Sequence, residues 1–225
     1  WKAAGTAIDF LSPDFYNPLF KQWNDLFTRQ GDPLFIPEHR FDETAPFKGL
    51  YAIGHYEAIG FSPFSIESVS DAKKEPLGKI YDLVQQLTPT IEKYKGQGKI
   101  DGVLLDKENN TQIIKMGDYE FTFKHDYTLN WSDGAKAEAW PMSSAIIIEI
   151  AKDEFYISGS GIVVTFKSLK ENLNAGILKT DQGKFENEVW KTIRHFNGDQ
   201  THQGRHLRIS VGDFEIQKIK LYNYE

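Results

Sequence analysis

The chain has no cysteine among its 225 residues. That excludes disulfides, thiolate-bound zinc and cysteine nucleophiles, and leaves the compartment open, since cytosolic and periplasmic proteins alike can lack the residue. No apolar run approaches the roughly 18–20 residues that cross a bilayer as a helix. Basic charge is in short supply too: Lys and Arg total 26 against 32 Asp and Glu, a net charge of −6. With no basic stripe, the chain does not fit proteins that hold nucleic-acid phosphates. Internal repeats, low-complexity segments and serine-nucleophile motifs are missing as well.

What is present is ordinary in bulk. Hydrophobic residues make up 40% and charged residues 26%, a globular balance long enough for one large or two small domains. Aromatics reach 14%, with five Trp and sixteen Phe. They fill an aromatic core or form stacking platforms for sugar rings. Trp131, Trp140 and Trp190 separate the two readings: exposure of two on one rim favours binding, and burial favours structural support. Trp190 inside a strand and Trp140-Pro141 as an edge anchor favour support. The chain starts at Trp1 with no signal or transit segment ahead of it, and Trp1 to Tyr16 reads as folded. It is therefore expected to begin inside a larger unit.

Two textures follow one another. Up to about residue 96, short apolar runs alternate with helical patterns. Ala7 to Leu11 reads as a strand stopped by Ser12-Pro13-Asp14, and Asn17-Pro18 opens a helix. In that helix Leu19, Phe20, Trp23, Leu26 and Phe27 share one face, and Gly31 ends it. Pro33 to Glu38 is a second strand, and Leu50 to Gly54 a third. A long helix starts at Pro76, with Leu77, Ile80, Val84, Leu87, Ile91 and Tyr94 at helical steps and a kink expected at Pro89. This is the βα texture of a parallel sheet. From residue 97 on, strand alternation takes over: Tyr119 to Phe123, Ala145 to Ala151, Phe155 to Phe166, Glu188 to Phe196, Leu207 to Val211 and Phe214 to Tyr222. Turn signals between them predict an antiparallel sandwich or barrel. The division is thus 1–96 and 97–225.

Three strands are too few for a closed (β/α)8 barrel of about 250 residues. They form a small sheet or the last strands of a barrel whose beginning lies elsewhere. Glu38 stands out chemically, at the C-terminal end of a short apolar strand where βα folds collect functional groups. The alternative is a loop Glu paired with Arg40. Asp14 and Tyr16 follow the first strand, and His55 to Phe64 follows the third. The latter mixes an imidazole, a phenol and a carboxylate with Phe61 and Phe64, which suits a ligand rim or an irregular core-filling connection. His195, His202 and His206 approach a metal cluster, but their flanks read as a hairpin loop, as does Asp199 for a calcium site. Ser158-Gly159-Ser160-Gly161 has no helix after it and reads as a turn or bulge.

The run Ile8-Asp9-Phe10-Leu11-Ser12-Pro13-Asp14-Phe15-Tyr16 resembles strand six of the family 35 and family 42 β-galactosidases. Pro33-Leu34-Phe35-Ile36-Pro37-Glu38 resembles strand seven, and Leu50 to Phe64 strand eight. The resemblance covers about the first 95 residues, and the remainder is similar in arrangement to the C-terminal sandwich of bacterial members. It implies the C-terminal portion of a (β/α)8 TIM barrel followed by a β-sandwich, in a retaining glycoside hydrolase acting on β-galactosides. Glu38 would be the nucleophile, with Tyr16, His39, Tyr56 and Phe61 lining the substrate and no metal or cofactor. The family's acid/base carboxylate, from an Asn-Glu pair on strand four, has no counterpart, since Asn24-Asp25 and Asn187-Glu188 sit elsewhere. Retention needs two carboxyl groups roughly 5–5.5 Å apart. Loss of the general acid alone costs roughly 10²–10⁴-fold, so the isolated chain is expected to be inactive. Implied partners are a carbohydrate and the missing barrel half, with no nucleic acid and no membrane span. Export to the periplasm or the exterior follows from the same resemblance. The alternative is a non-catalytic carbohydrate-binding or structural sandwich.

Overall fold

The computed structural model describes Gly5 and residues 7–225; Trp1 lies outside them. The first part of the chain forms β1 (Asp14–Phe15), α1 (Phe20–Thr28), β2 (Phe35–His39), α2 (Ala45–His55), β3 (Gly60–Pro63) and α3 (Pro76–Tyr94). Ten strands follow: β4 (Ile100–Leu105), β5 (Thr111–Met116), β6 (Tyr119–His125), β7 (Ser143–Ala151), β8 (Glu154–Ser160), β9 (Ile162–Ser168), β10 (Asn174–Glu186), β11 (Val189–His195), β12 (Leu207–Ile209) and β13 (Glu215–Tyr224). They build three sheets. One is parallel, in the order β1-β2-β3; the others are six-stranded, β11-β10-β13-β8-β7-β4, and four-stranded, β12-β9-β6-β5.

The two larger sheets face each other across the main core. In β6 the alternation of the pleat sends Tyr119, Phe121 and Phe123 inward, all fully buried. They join Ile147, Phe155, Ile157, Ile219 and Leu221 from the six-stranded sheet. Phe121 and Phe155 meet edge to face with centroids 4.9 Å apart, the arrangement that ring quadrupoles favour. The chain passes from one sheet to the other at Gly161, whose φ of +72° suits a residue without Cβ.

Helices cover the reverse face of the six-stranded sheet. Leu77, Ile80, Leu83, Leu87 and Ile91 are the buried stripe of α3. Together with Leu50 of α2, most of this stripe packs on Ile100, Ile146, Ile148, Tyr156 and Ile216. Close approach of α2 to β4 depends on two glycines: a Cβ on Gly54 would sit 3.0 Å from the Cα of Gly102. The opposite side of α2 carries Tyr51 and Ala52 into a second cluster with Phe15, Leu34, Ile36 and Phe61 of the parallel sheet and Phe20 of α1. Because α2 lies between two sheets, it is apolar nearly all round.

The expected barrel portion followed by a sandwich is corrected here. Among the described residues the sheets are three separate open ones, accompanied by three α-helices. Strands of two, five and four residues with β1 and β3 left as free edges do not close a barrel, which requires a full ring of tilted strands. Locally, Leu50 to Gly54 is helical within α2, with Pro46 in its first turn; the short apolar run reflected burial on both sides. Ala7 to Leu11 forms no strand, and the pairing falls instead at Asp14–Phe15. Phe155 to Phe166 is two strands broken at Gly161.

Candidate functional site

The residues singled out from sequence converge around α1 and the C-terminal end of the parallel sheet. Asp14 and Phe15 of β1 pair in register with Glu38 and His39 of β2. The next residue, Tyr16, donates its phenol hydrogen to Glu38. This bond and the nearby carboxylates of Glu38 and Asp14 push the Tyr16 hydroxyl above the ordinary tyrosine range. Tyr16, Asn17 and Pro18 border a pocket of about 260 Å³ shared with His39, Arg40, Asp42 and Lys48. Burial lowers Lys48 from the usual lysine value. Burial works to raise Asp42, but hydrogen bonds from the hydroxyl and amide of Thr44 prevail and hold its carboxyl low.

His39 and Phe61 turn inward. His39 is 2% exposed, its Nδ1 lies 2.6 Å from the Arg40 carbonyl, and its ring contacts Phe15, Phe20 and Phe61. Burial holds its imidazole below the usual value, against the pull of that carbonyl. Phe61 covers Gly49 of α2, where a Cβ would lie 2.9 Å from its ring. Tyr56 reaches a different place: its hydroxyl donates to Asp25 at 2.7 Å and lies 3.0 Å from the Lys21 carbonyl, both on α1. The structure thus brings Tyr16 and Glu38 together at the surface, places His39 and Phe61 in the core, and sets Tyr56 as a tie to α1.

The helix they surround has two apolar faces. Phe20 and Asn24 are buried against the sheet, and the Asn24 amide donates to the Phe20 carbonyl at 2.9 Å. Leu19, Trp23 and Leu26 look outward, exposed by 56, 42 and 46%. Tyr16, also exposed, borders the same hollow as Trp23. Between Tyr16 and Trp23 lies a hollow of about 210 Å³, lined also by Pro13, Phe15 and Phe27. In sequence, the five apolar residues of α1 formed one broad stripe; the stripe is wider than the core it packs on, and half of it stays uncovered.

Of the three tryptophans that separate platform from support, Trp131 is 55% exposed, whereas Trp140 and Trp190 are half-buried. Trp190 packs with Tyr156 and Phe185, and Trp140 packs with His125 and Tyr127. The two-tryptophan rim is therefore not formed. Among the described residues, no group of three or more His, Asp or Glu is placed to hold a metal ion, and no helix is long and apolar enough to cross a membrane.

Residues 77–208 match the model of a family described as a domain of unknown function (DUF5597). The chain belongs to that family. It is also 26% identical over 183 residues to a protein named ribosomal RNA small subunit methyltransferase H from Wigglesworthia glossinidia brevipalpis, an alignment covering 75% of this chain. The chain spans 56% of the length of that relative.

These findings correct the functional expectations. The matched family carries no assigned activity, and the similar protein is named for an unrelated reaction, so the resemblance to β-galactosidases does not stand. The open parallel sheet provides no ring of strands on which two carboxyl groups could flank a glycosidic bond. The assignment as a retaining glycoside hydrolase falls with it. So do its non-catalytic carbohydrate-binding alternative, the carbohydrate ligand and the complementary barrel half.

Proposed function

We propose that this family member is a non-catalytic docking module whose α1 face seats an apolar surface of another folded polypeptide. The carrying observation is the uncovered stripe Leu19, Trp23 and Leu26, beside Tyr16, which shares a hollow with Trp23. Contiguous exposed apolar surface of several hundred Å² is uncommon outside contact sites. Trp, Tyr and Arg dominate the energy of protein interfaces, and Tyr16 borders one hollow with Trp23 and a second with Arg40. The hollow between Tyr16 and Trp23 has room for one large side chain of the partner, the usual form of an anchor pocket.

On this reading Glu38 and Tyr16 position the rim. The hydrogen bond from the phenol to the carboxylate fixes the ring where the partner meets it, so that little rotamer freedom is lost on binding. His39 and Phe61 hold the sheet from within, and Tyr56 ties α1 through Asp25. Contact runs through side chains and adds no strand to the sheet.

The test is photo-crosslinking in the cells that make the protein, with a photoreactive residue replacing Leu26 or, as control, Glu171. A discrete cross-linked protein at position 26, absent at 171 and lost in Trp23→Asp, is expected. Equal labelling at both positions, or none at 26, would sink the docking reading.

A further inference from the structure

Away from α1, at one end of the facing sheets, four side chains form a cluster that the docking face does not use. The rings of His202 and His206 stack with centroids 5.2 Å apart and planes 9° from parallel. Trp131 stands 5.7 Å from the first and 5.8 Å from the second. The Arg208 guanidinium lies 5.2 Å from the centre of the Trp131 ring, within cation–π range. His206 is 5% exposed, while His202 is at the surface.

Both histidines belong to the 196–206 connection between β11 and β12, a tight loop tied to itself. Thr201 donates its hydroxyl to the Asn197 carbonyl at 2.9 Å and accepts from the Gly204 amide at 3.1 Å. Its carbonyl takes the amides of Arg205 and His206. Three successive residues, His202, Gln203 and Gly204, have φ of +49°, +60° and +78°, a left-handed run costly for the two that carry side chains. That strained run presents the His202 ring to His206 and Trp131.

We propose that the His202–His206 stack is an acid-released clasp holding loop 197–206 against Trp131. With both rings neutral, the rings stack face to face and His206 stays buried. With both rings charged, two cations stand about one ring-stacking distance apart beside a third, Arg208. The acid that acts on His206, Asp126 on the turn after β6, is already committed: it takes Arg208 Nε at 2.6 Å and Nη2 at 3.2 Å, with the Val211 amide at 3.3 Å. Burial, His202 and Arg208 together hold His206 below the ordinary imidazole value, against a smaller opposing pull from Asp126. The closed loop therefore binds protons less readily than the open one. Its stability is present above the free imidazole value of about 6.5 and is lost as pH falls below it.

Hydrogen exchange of the peptide spanning 197–206, corrected for the intrinsic pH dependence of exchange, tests this on the intact protein. Between about pH 7.5 and 5, on either side of the imidazole range, protection of this loop is expected to fall at least about tenfold. Strands β6 and β8 should keep theirs. His202→Gln, a surface change that removes one charge and leaves the core alone, should move the transition to lower pH. Raised salt should do the same by screening the repulsion. A loop equally protected across the range, a loop unprotected at the higher pH, or a transition unmoved in His202→Gln would each overturn the clasp.

Discussion

Tyr56, just past the end of α2, donates its phenol hydrogen to Asp25 on the outer surface of α1, 31 residues earlier in the chain, at 2.7 Å. The same oxygen lies 3.0 Å from the Lys21 carbonyl, and the Lys21 ammonium in turn donates to the Leu104 carbonyl on β4 at 2.9 Å. One phenol thus connects α1, α2 and the six-stranded sheet. Burial, then the bond to Asp25, raises the Tyr56 hydroxyl far above the ordinary tyrosine range.

Replacement of Tyr56 by Phe removes that tie and keeps the ring that packs on Tyr51. A hydrogen bond of this kind contributes about 1 kcal/mol net, so a loss of about that size is expected in urea unfolding. Faster amide exchange confined to α1 should accompany it. Unchanged exchange in α1 would show that the packing of Phe20 alone holds the helix.

Arg208 and Asp126 form the most buried ion pair among the described residues, and its two halves are unequal. Asp126 is 3% exposed, while the Arg208 side chain is 28% exposed. Arg208→Met leaves a carboxylate stranded in the interior and is expected to cost about 3–5 kcal/mol. Asp126→Asn leaves a cation that can turn to water and should cost less. Equal losses in thermal unfolding of the two variants would contradict the asymmetry.

Legibility in the sequence followed burial chemistry. The α3 stripe could be read because its sheet-facing residues are Leu and Ile and its outer ones polar. The β2 run could be read because Leu34 and Ile36 are wholly buried. By contrast, β10 carries no apolar run that marks a strand: its most buried positions include Thr180 and Asp181, at 2 and 3% exposure. Asp181 is held there by Lys179 and His195, so the buried positions of this strand read as polar ones. The helix α2 reads as a strand in sequence because two sheets cover it and leave little polar face to mark a helical period. At the site, Tyr16 and Glu38 could be picked out as polar groups at strand ends. The outward face of α1 could not, because periodicity shows how wide an apolar stripe is and not how much of it the core covers.

His125 makes the acid limb of stability predictable. Fully buried, it lies 2.9 Å from the Pro141 carbonyl at Nε2 and accepts the Tyr127 amide at Nδ1, 3.1 Å away. The neutral ring with its proton on Nε2 satisfies both partners, and a second proton on Nδ1 would displace the amide. Burial lowers its proton affinity, and the same holds for His39 and His206. The unfolded chain then binds more protons than the folded one, so stability should decline as pH falls through about 6.5. Urea midpoints between neutral pH and about pH 5 should show that slope, and His125→Gln should make it shallower. A midpoint flat through this range would mean that the three rings do not sense folding.

Gly161, where the chain changes sheets, separates backbone strain from steric conflict when compared with Gly212. Both have positive φ, +72° and +90°. A Cβ on Gly161 would come 2.7 Å from the Cβ of Ser143 and 3.3 Å from Val211, whereas one on Gly212 meets nothing within 4 Å. Gly212→Ala should therefore lose only the left-handed backbone term of about 1–2 kcal/mol. Gly161→Ala should lose that and a further amount of about 1–3 kcal/mol for forcing β7 aside. If chemical denaturation gives the two variants the same loss, the backbone at Gly161 moves freely and the crossing between the sheets is looser than its contacts imply.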